Sequence, residues 1–141
     1  EQKKYLAGKI KDALWILKDK HIAILGLSFK PNTDDLRNAP SLGLIRILQN
    51  EGAKIKTFDP QSMPRAAQLL SEVKFCKDVY EAARGSDCLV VVTEWNEFKE
   101  LDFVRLKKIM RQPIIVDARN IYEPRELKKL GFRYIGIGRT V

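Results

Sequence analysis

The sequence predicts an α/β fold, a Rossmann-like doubly wound parallel sheet of about six strands preceded by the end of a long helix. Three observations predict it. The apolar runs Ile22-Ala23-Ile24-Leu25, Cys88-Leu89-Val90-Val91-Val92 and Pro113-Ile114-Ile115-Val116 have the length and continuity of strands buried on both faces. Segments with helical periodicity or helix start and stop signals separate them. The strand ends run into polar residues at Asp59-Pro60, Thr93-Glu94-Trp95 and Asp117-Ala118-Arg119-Asn120, where an open parallel sheet carries its ligand-binding loops.

Taken in order, residues 1–18 read as the end of a helix, because Leu6, Ile10, Leu14 and Leu17 recur on one face. No Ser, Thr, Asp or Asn cap precedes it, so the helix is expected to continue upstream, with its apolar stripe against this domain, a neighbouring one or a second subunit. The first strand, Ile22 to Leu25, feeds the long polar loop Gly26 to Ser41, and Pro40 opens the helix around Leu42 to Leu48. Asn50-Glu51-Gly52 stops that helix, and Lys54 to Phe58 forms the second strand. The Asp59-Pro60 pair after it can hold a ribose hydroxyl or cap the next helix; with no glycine-rich turn to accompany it, the cap is favoured. A helix at Ala66 to Leu70, a strand at Val73 to Phe75 and a helix from Asp78 to Ala83 precede the strongest strand, Cys88 to Val92. Helix Phe103 to Met110, strand Pro113 to Val116, helix Pro124 to Leu130 with a stop at Gly131, and strand Phe132 to Gly136 complete the pattern. No linker interrupts it, so one domain is expected. Strand order 3-2-1-4-5-6 with right-handed crossovers would gather the strand-end loops on one rim.

Composition narrows the function. With 141 residues, 45% of them hydrophobic and 31% charged, the chain can build a globular core. No run approaches the roughly 20 apolar residues of a membrane span, and no secretory signal is visible. The first residue is Glu1, which suggests a piece of a longer protein. The two cysteines, Cys76 and Cys88, give neither a disulfide framework nor a metal-ligand spacing. Cys88 lies in an apolar run and reads as an inert buried thiol, Cys76 as a surface or edge residue, and His21 as structural. That usage points to a reducing, cytoplasmic setting. The net charge of +8 comes from Lys and Arg interleaved with Asp and Glu along helices. This is the pattern of a solvated face and argues against nucleic acid and membrane as partners; a phosphorylated small molecule fits better.

The loop after the first strand is where ligand chemistry is expected. Only Gly26 matches the glycine-rich dinucleotide fingerprint, and Leu27, Ser28, Phe29 and Lys30 follow it, so a phosphate cannot approach the backbone as it does in that motif. Side-chain cations are offered instead. Lys30 is a mobile point charge and Arg37 a bidentate fork. Each reads either as a ligand contact or, more simply, as a solvated Lys30 and an Arg37 paired with Asp34 or Asp35. Arg119 is open in the same way, between a strand-end ligand contact and a partner for Asp117.

The run Gly26-Leu27-Ser28-Phe29-Lys30-Pro31-Asn32-Thr33-Asp34-Asp35-Leu36-Arg37-Asn38-Ala39-Pro40-Ser41 resembles the signature GLxFKxxTDDxRxxPS of the UDP-glucose/GDP-mannose dehydrogenase family. Gly52-Ala53, Phe58-Asp59-Pro60, Thr93-Glu94-Trp95 and Asp117-Ala118-Arg119-Asn120 add to the resemblance, which covers essentially the whole chain. It implies the C-terminal, UDP-sugar-binding domain at residues 19–141, with residues 1–18 as the C-terminal end of the central inter-domain helix and the N-terminal NAD-binding domain outside this chain. In the members that oxidise UDP-glucose, which it resembles most, C6 of the sugar passes through a thiohemiacetal on a cysteine in two successive hydride transfers to NAD. Neither Cys76 nor Cys88 matches that cysteine, so this chain alone is expected to be inactive. By resemblance Phe29, Lys30 and Arg119 bind the UDP-sugar, and Arg37 reaches the NAD pyrophosphate across a domain cleft. The family's last motif often has Gly where Ala118 stands, a departure next to Arg119. A homo-oligomer, at least a dimer, is implied for the full-length protein. The alternatives are a GDP-mannose or UDP-N-acetyl-mannosamine dehydrogenase domain, or a non-enzymatic nucleotide-binding or interaction module.

Overall fold

The computed structural model of the chain describes residues 2–28, 36 and 39–137. Among the described residues there are six strands: β1 (His21–Leu25), β2 (Lys54–Phe58), β3 (Val73–Phe75), β4 (Cys88–Val91), β5 (Ile114–Asp117) and β6 (Arg133–Gly136). They form one sheet in the order β3-β2-β1-β4-β5-β6, with every neighbouring pair parallel. The expected doubly wound order is therefore the observed one. The first and fourth strands lie side by side, with Ile22 beside Cys88 and Leu25 beside Val91.

Helices cover both faces: α1 (Gln2–Leu14), α2 (Pro40–Asn50), α3 (Met63–Ala67), α4 (Val79–Ala83), α5 (Asn96–Lys99), α6 (Phe103–Ile109) and α7 (Pro124–Lys129). Alternation along each strand divides the core in two. Ile22, Ile24, Ile55, Val90 and Val116 pack with Leu6 and Ile10 of α1 and with Leu44, Ile45 and Leu48 of α2. Ala23, Leu25, Leu89, Val91 and Ile115 pack on the other side with Val79 of α4, Phe98 of α5, Leu106 of α6 and Leu127 of α7. The continuous apolar character of β4 follows directly, since all four of its residues are buried between two layers of helices.

α1 is shorter than the sequence suggests. It ends at Leu14 because Trp15 takes a left-handed φ of 68°, although Leu17 beyond the break still buries its side chain. The stripe of Leu6, Ile10 and Leu14 packs in this domain. The stop at Gly52 is a Schellman turn. Gly52, at φ 92°, donates from its amide to the Gln49 carbonyl, and the Ala53 amide donates to that of Leu48. The short helix α5 is absent from the pattern read in the sequence. No helix among the described residues is long and apolar enough to cross a membrane.

Candidate functional site

The carboxyl ends of β1, β4 and β5 adjoin, and the chain fastens their loops to one another. Gly26 leaves β1 with φ 95°. A Cβ at that position would stand 2.3 Å from Oγ1 and 2.5 Å from Cβ of Thr93, so the glycine here admits the neighbouring strand-end loop rather than a phosphate. Thr93 closes the same contact by donating its hydroxyl to the Ser28 carbonyl at 2.7 Å. The Ser41 hydroxyl at the start of α2 donates to the Leu27 carbonyl.

Asp59 at the end of β2 is fully buried and holds this loop from the other side. Its Oδ2 accepts from the Leu27 amide at 2.8 Å, and Oδ1 accepts from the amides of Gln61 and Ser62 at 2.8 and 2.7 Å. The reading of Asp59 as the cap of α3 is corrected: Ser62 occupies the N-cap position, and Asp59 ties the turn before it to the loop after β1. Fully buried, Asp59 offers no accessible oxygen to a ribose hydroxyl. With Leu27 also fully buried, the described residues of the first turn do not fit a dinucleotide.

Asp117, the last residue of β5, builds the facing loop. It is buried, and its Oδ1 accepts from the Arg119 amide at 3.2 Å. Its Oδ2 accepts from the Tyr122 amide at 2.9 Å and from the Tyr134 hydroxyl of β6 at 2.8 Å. Asn120 takes the left-handed φ of 54° that suits its residue type, and its amide nitrogen donates to the Ile137 carbonyl at 3.0 Å. Ala118 is buried in the first core layer and is not among the positive-φ residues. The turn therefore does not require the glycine that the family often has there.

This scaffold presents Arg119 at the rim. Its Nη2 donates to Oε1 of Glu94 at 2.7 Å, with the two side chains 32% and 40% exposed. The guanidinium thus pairs with the loop after β4, and Asp117 holds only the backbone of Arg119. Glu94 carries the one carboxylate facing that cation among the described residues, a role that sequence reasoning missed; the available signal was an acid at the carboxyl end of the strand next to β5. Beside it, Nε1 of Trp95 is buried with no hydrogen-bond partner among the described residues. Phe29, Lys30 and Arg37 lie outside the described residues.

Other groups read from the sequence fall elsewhere. His21 opens β1, and its amide donates to the buried Asp87 carboxylate at 2.9 Å. Cys88 is fully buried, and burial, seconded by the Asp87 charge, pushes its thiol up to about 12. Cys76 just beyond the edge strand β3 is also buried, and its thiol is raised first by burial and then by Glu81. Neither is an activated nucleophile. A cleft of about 530 Å³ lies at the amino ends of β1 and β2, lined by Lys18, His21 and Lys54 among others. Parallel α/β sheets bind ligands at the opposite, carboxyl edge, so the rim around Arg119 is the better candidate.

Residues 23–124, which include the described parts of this rim, match the family model for the UDP-glucose/GDP-mannose dehydrogenase family, UDP binding domain. The chain belongs to the UDP-glucose/GDP-mannose dehydrogenase family. As the UDP-binding domain of that family, it is 49% identical over 123 residues to UDP-glucose 6-dehydrogenase of Rhizobium meliloti, covering 87% of this chain and 28% of the relative. It is 39% identical over 140 residues to UDP-glucose 6-dehydrogenase TuaD of Bacillus subtilis, covering 99% of this chain and 30% of the relative. The solved UDP-glucose dehydrogenase of Pyrobaculum islandicum superposes with a TM-score of 0.81 at 27% identity, over 98% of this chain and 30% of that one. The UDP-binding domain thus spans about three tenths of the length of these relatives.

Proposed function

We propose that this UDP-binding domain is the substrate-holding part of an NAD-dependent UDP-glucose 6-dehydrogenase that converts UDP-glucose to UDP-glucuronate in the cytoplasm. Arg119 carries the proposal: its backbone is fixed by Asp117 and its guanidinium stands at the strand-end rim, where a sugar nucleotide would lie. Arg119 and Lys30 supply positive charge to the diphosphate, and Phe29 packs against the ligand. A charge-assisted hydrogen bond of this kind contributes about 1.5–3 kcal/mol.

Of the glycine-rich fingerprint only Gly26 stands in the sequence after β1, which supports placing NAD mainly on a domain outside this chain. Arg37 is the proposed contact from here to its pyrophosphate. Without the catalytic cysteine, the chain binds and orients and does not oxidise. Residues 1–18 join it to that other domain, and the full-length protein is a homo-oligomer, at least a dimer.

Calorimetric titration of the chain with UDP tests the reading. Saturable binding that Arg119→Ala and Lys30→Ala each weaken about 10-fold or more is expected, and unchanged affinity in both variants contradicts it. GDP titrated in parallel separates this reading from a GDP-mannose enzyme.

A further inference from the structure

The rim holds a carboxylate where an anionic ligand is to bind, and the pair it forms is built unlike the rest of the site. Asp117, Thr93 and Asp59 are buried and hold backbone. Glu94 instead meets Arg119 through one oxygen and one terminal nitrogen, with both side chains partly exposed. Each partner is anchored without the other. The Arg119 turn hangs on Asp117 and on the Asn120 bond to Ile137, and the Glu94 turn hangs on the Thr93 bond to Ser28. The pair therefore shapes neither loop.

Resting on the UDP-sugar reading, we propose that Glu94 is the resident counter-ion of the site. It holds the Arg119 guanidinium while the site is empty and yields it to the phosphate of a nucleoside diphosphate, so that Glu94 sets the affinity for charged ligands. Electrostatics gives the direction. A phosphate on Arg119 comes close to the Glu94 carboxylate, and two like charges at that range repel. An exposed pair of this kind is weak enough for a ligand to open. Its carboxylate lowers affinity for a diphosphate and leaves an uncharged nucleoside unaffected.

The test is calorimetric titration of the 141-residue chain and its Glu94→Gln, Glu97→Gln and Arg119→Ala variants with UDP and with uridine, at low and high salt. Glu94→Gln is expected to tighten UDP about two- to five-fold, to leave uridine unchanged, and to lose its advantage as salt rises. Glu97, an exposed carboxylate on α5, reports the general field, and Glu97→Gln is expected to leave UDP affinity within experimental error. UDP binding weakened or unmoved by Glu94→Gln overturns the inference, as does an equal tightening by Glu97→Gln. Arg119→Ala keeps the two failures apart. If it weakens UDP while Glu94→Gln does not tighten it, only the counter-ion role falls; if it leaves UDP unmoved, or if the wild-type chain binds no UDP, the site reading falls as well.

Discussion

Oδ2 of Asp59, at the end of β2, accepts a hydrogen bond from the Leu27 amide at 2.8 Å, across an interval of 32 residues. That bond secures the start of the signature loop to the strand beside it. Because Asp59 is fully buried, truncation leaves three amides without their acceptor. Asp59→Ala is expected to cost about 3 kcal/mol, read as a lower urea midpoint with an unchanged denaturant slope. Asp59→Asn retains an acceptor oxygen and is expected to cost less.

Gly26 is expected to tolerate no side chain. A Cβ there falls on Thr93, at 2.3 Å from its Oγ1 and 2.9 Å from its backbone nitrogen, and φ is 95°. Positive-φ strain and overpacking each contribute about 1–3 kcal/mol. Gly26→Ala is therefore expected to destabilise the chain more than Asp59→Asn does, with thermal unfolding as the measurement. A fall of less than about 1 kcal/mol would mean that the β1 and β4 loops are not locked together.

Tyr134 on β6 supports Arg119 from a distance, through the Asp117 Oδ2 it bonds at 2.8 Å. Tyr134→Phe removes one donor to a buried carboxylate, and a loss of about 1–2 kcal/mol in stability is expected. UDP affinity should fall less than in Arg119→Ala, since the Arg119 amide keeps its bond to Oδ1. Titrating both variants side by side checks the order.

The buried thiols predict an alkaline weakness. Cys88 is raised from an ordinary 9.0 to about 12 by burial and then by the Asp87 charge; Cys76 is raised in the same sense. The folded chain keeps protons there that the unfolded chain releases, so this contribution to stability is complete below about pH 9 and lost as the pH rises through about 12. Urea midpoints should fall between those limits, and Cys88→Ala should flatten the fall. Native thiols should resist alkylation at neutral pH and react once unfolded.

Most element positions were legible in the sequence because β4 and the inner residues of β1 and β5 lie between two layers of helices and are apolar, and the strand order followed from the fold class these runs predict. What escaped depended on tertiary partners. α1 breaks at Trp15 through a backbone turn, while the apolar period runs on to Leu17. α5 has four residues, too few to show a period. Asp59 and Asp117 carry the same residue type at equivalent strand ends, yet only the folded chain shows that each spends its oxygens on neighbouring loops. Ala118 departs from a glycine motif, and the backbone at that position makes no demand for glycine. The pairing of Arg119 with Glu94 rather than Asp117 reflects which loop faces the guanidinium, which no local spacing encodes.

The location of the UDP site on the strand-end rim is tested most directly by amide chemical-shift mapping of the isotope-labelled chain during a UDP titration. The expected result is saturable shifts concentrated at Ser28, Thr93, Glu94, Arg119 and Asn120. Shifts confined to His21, Lys54 and Lys56 around the cleft at the amino ends of the strands, with the rim amides unmoved, would contradict it.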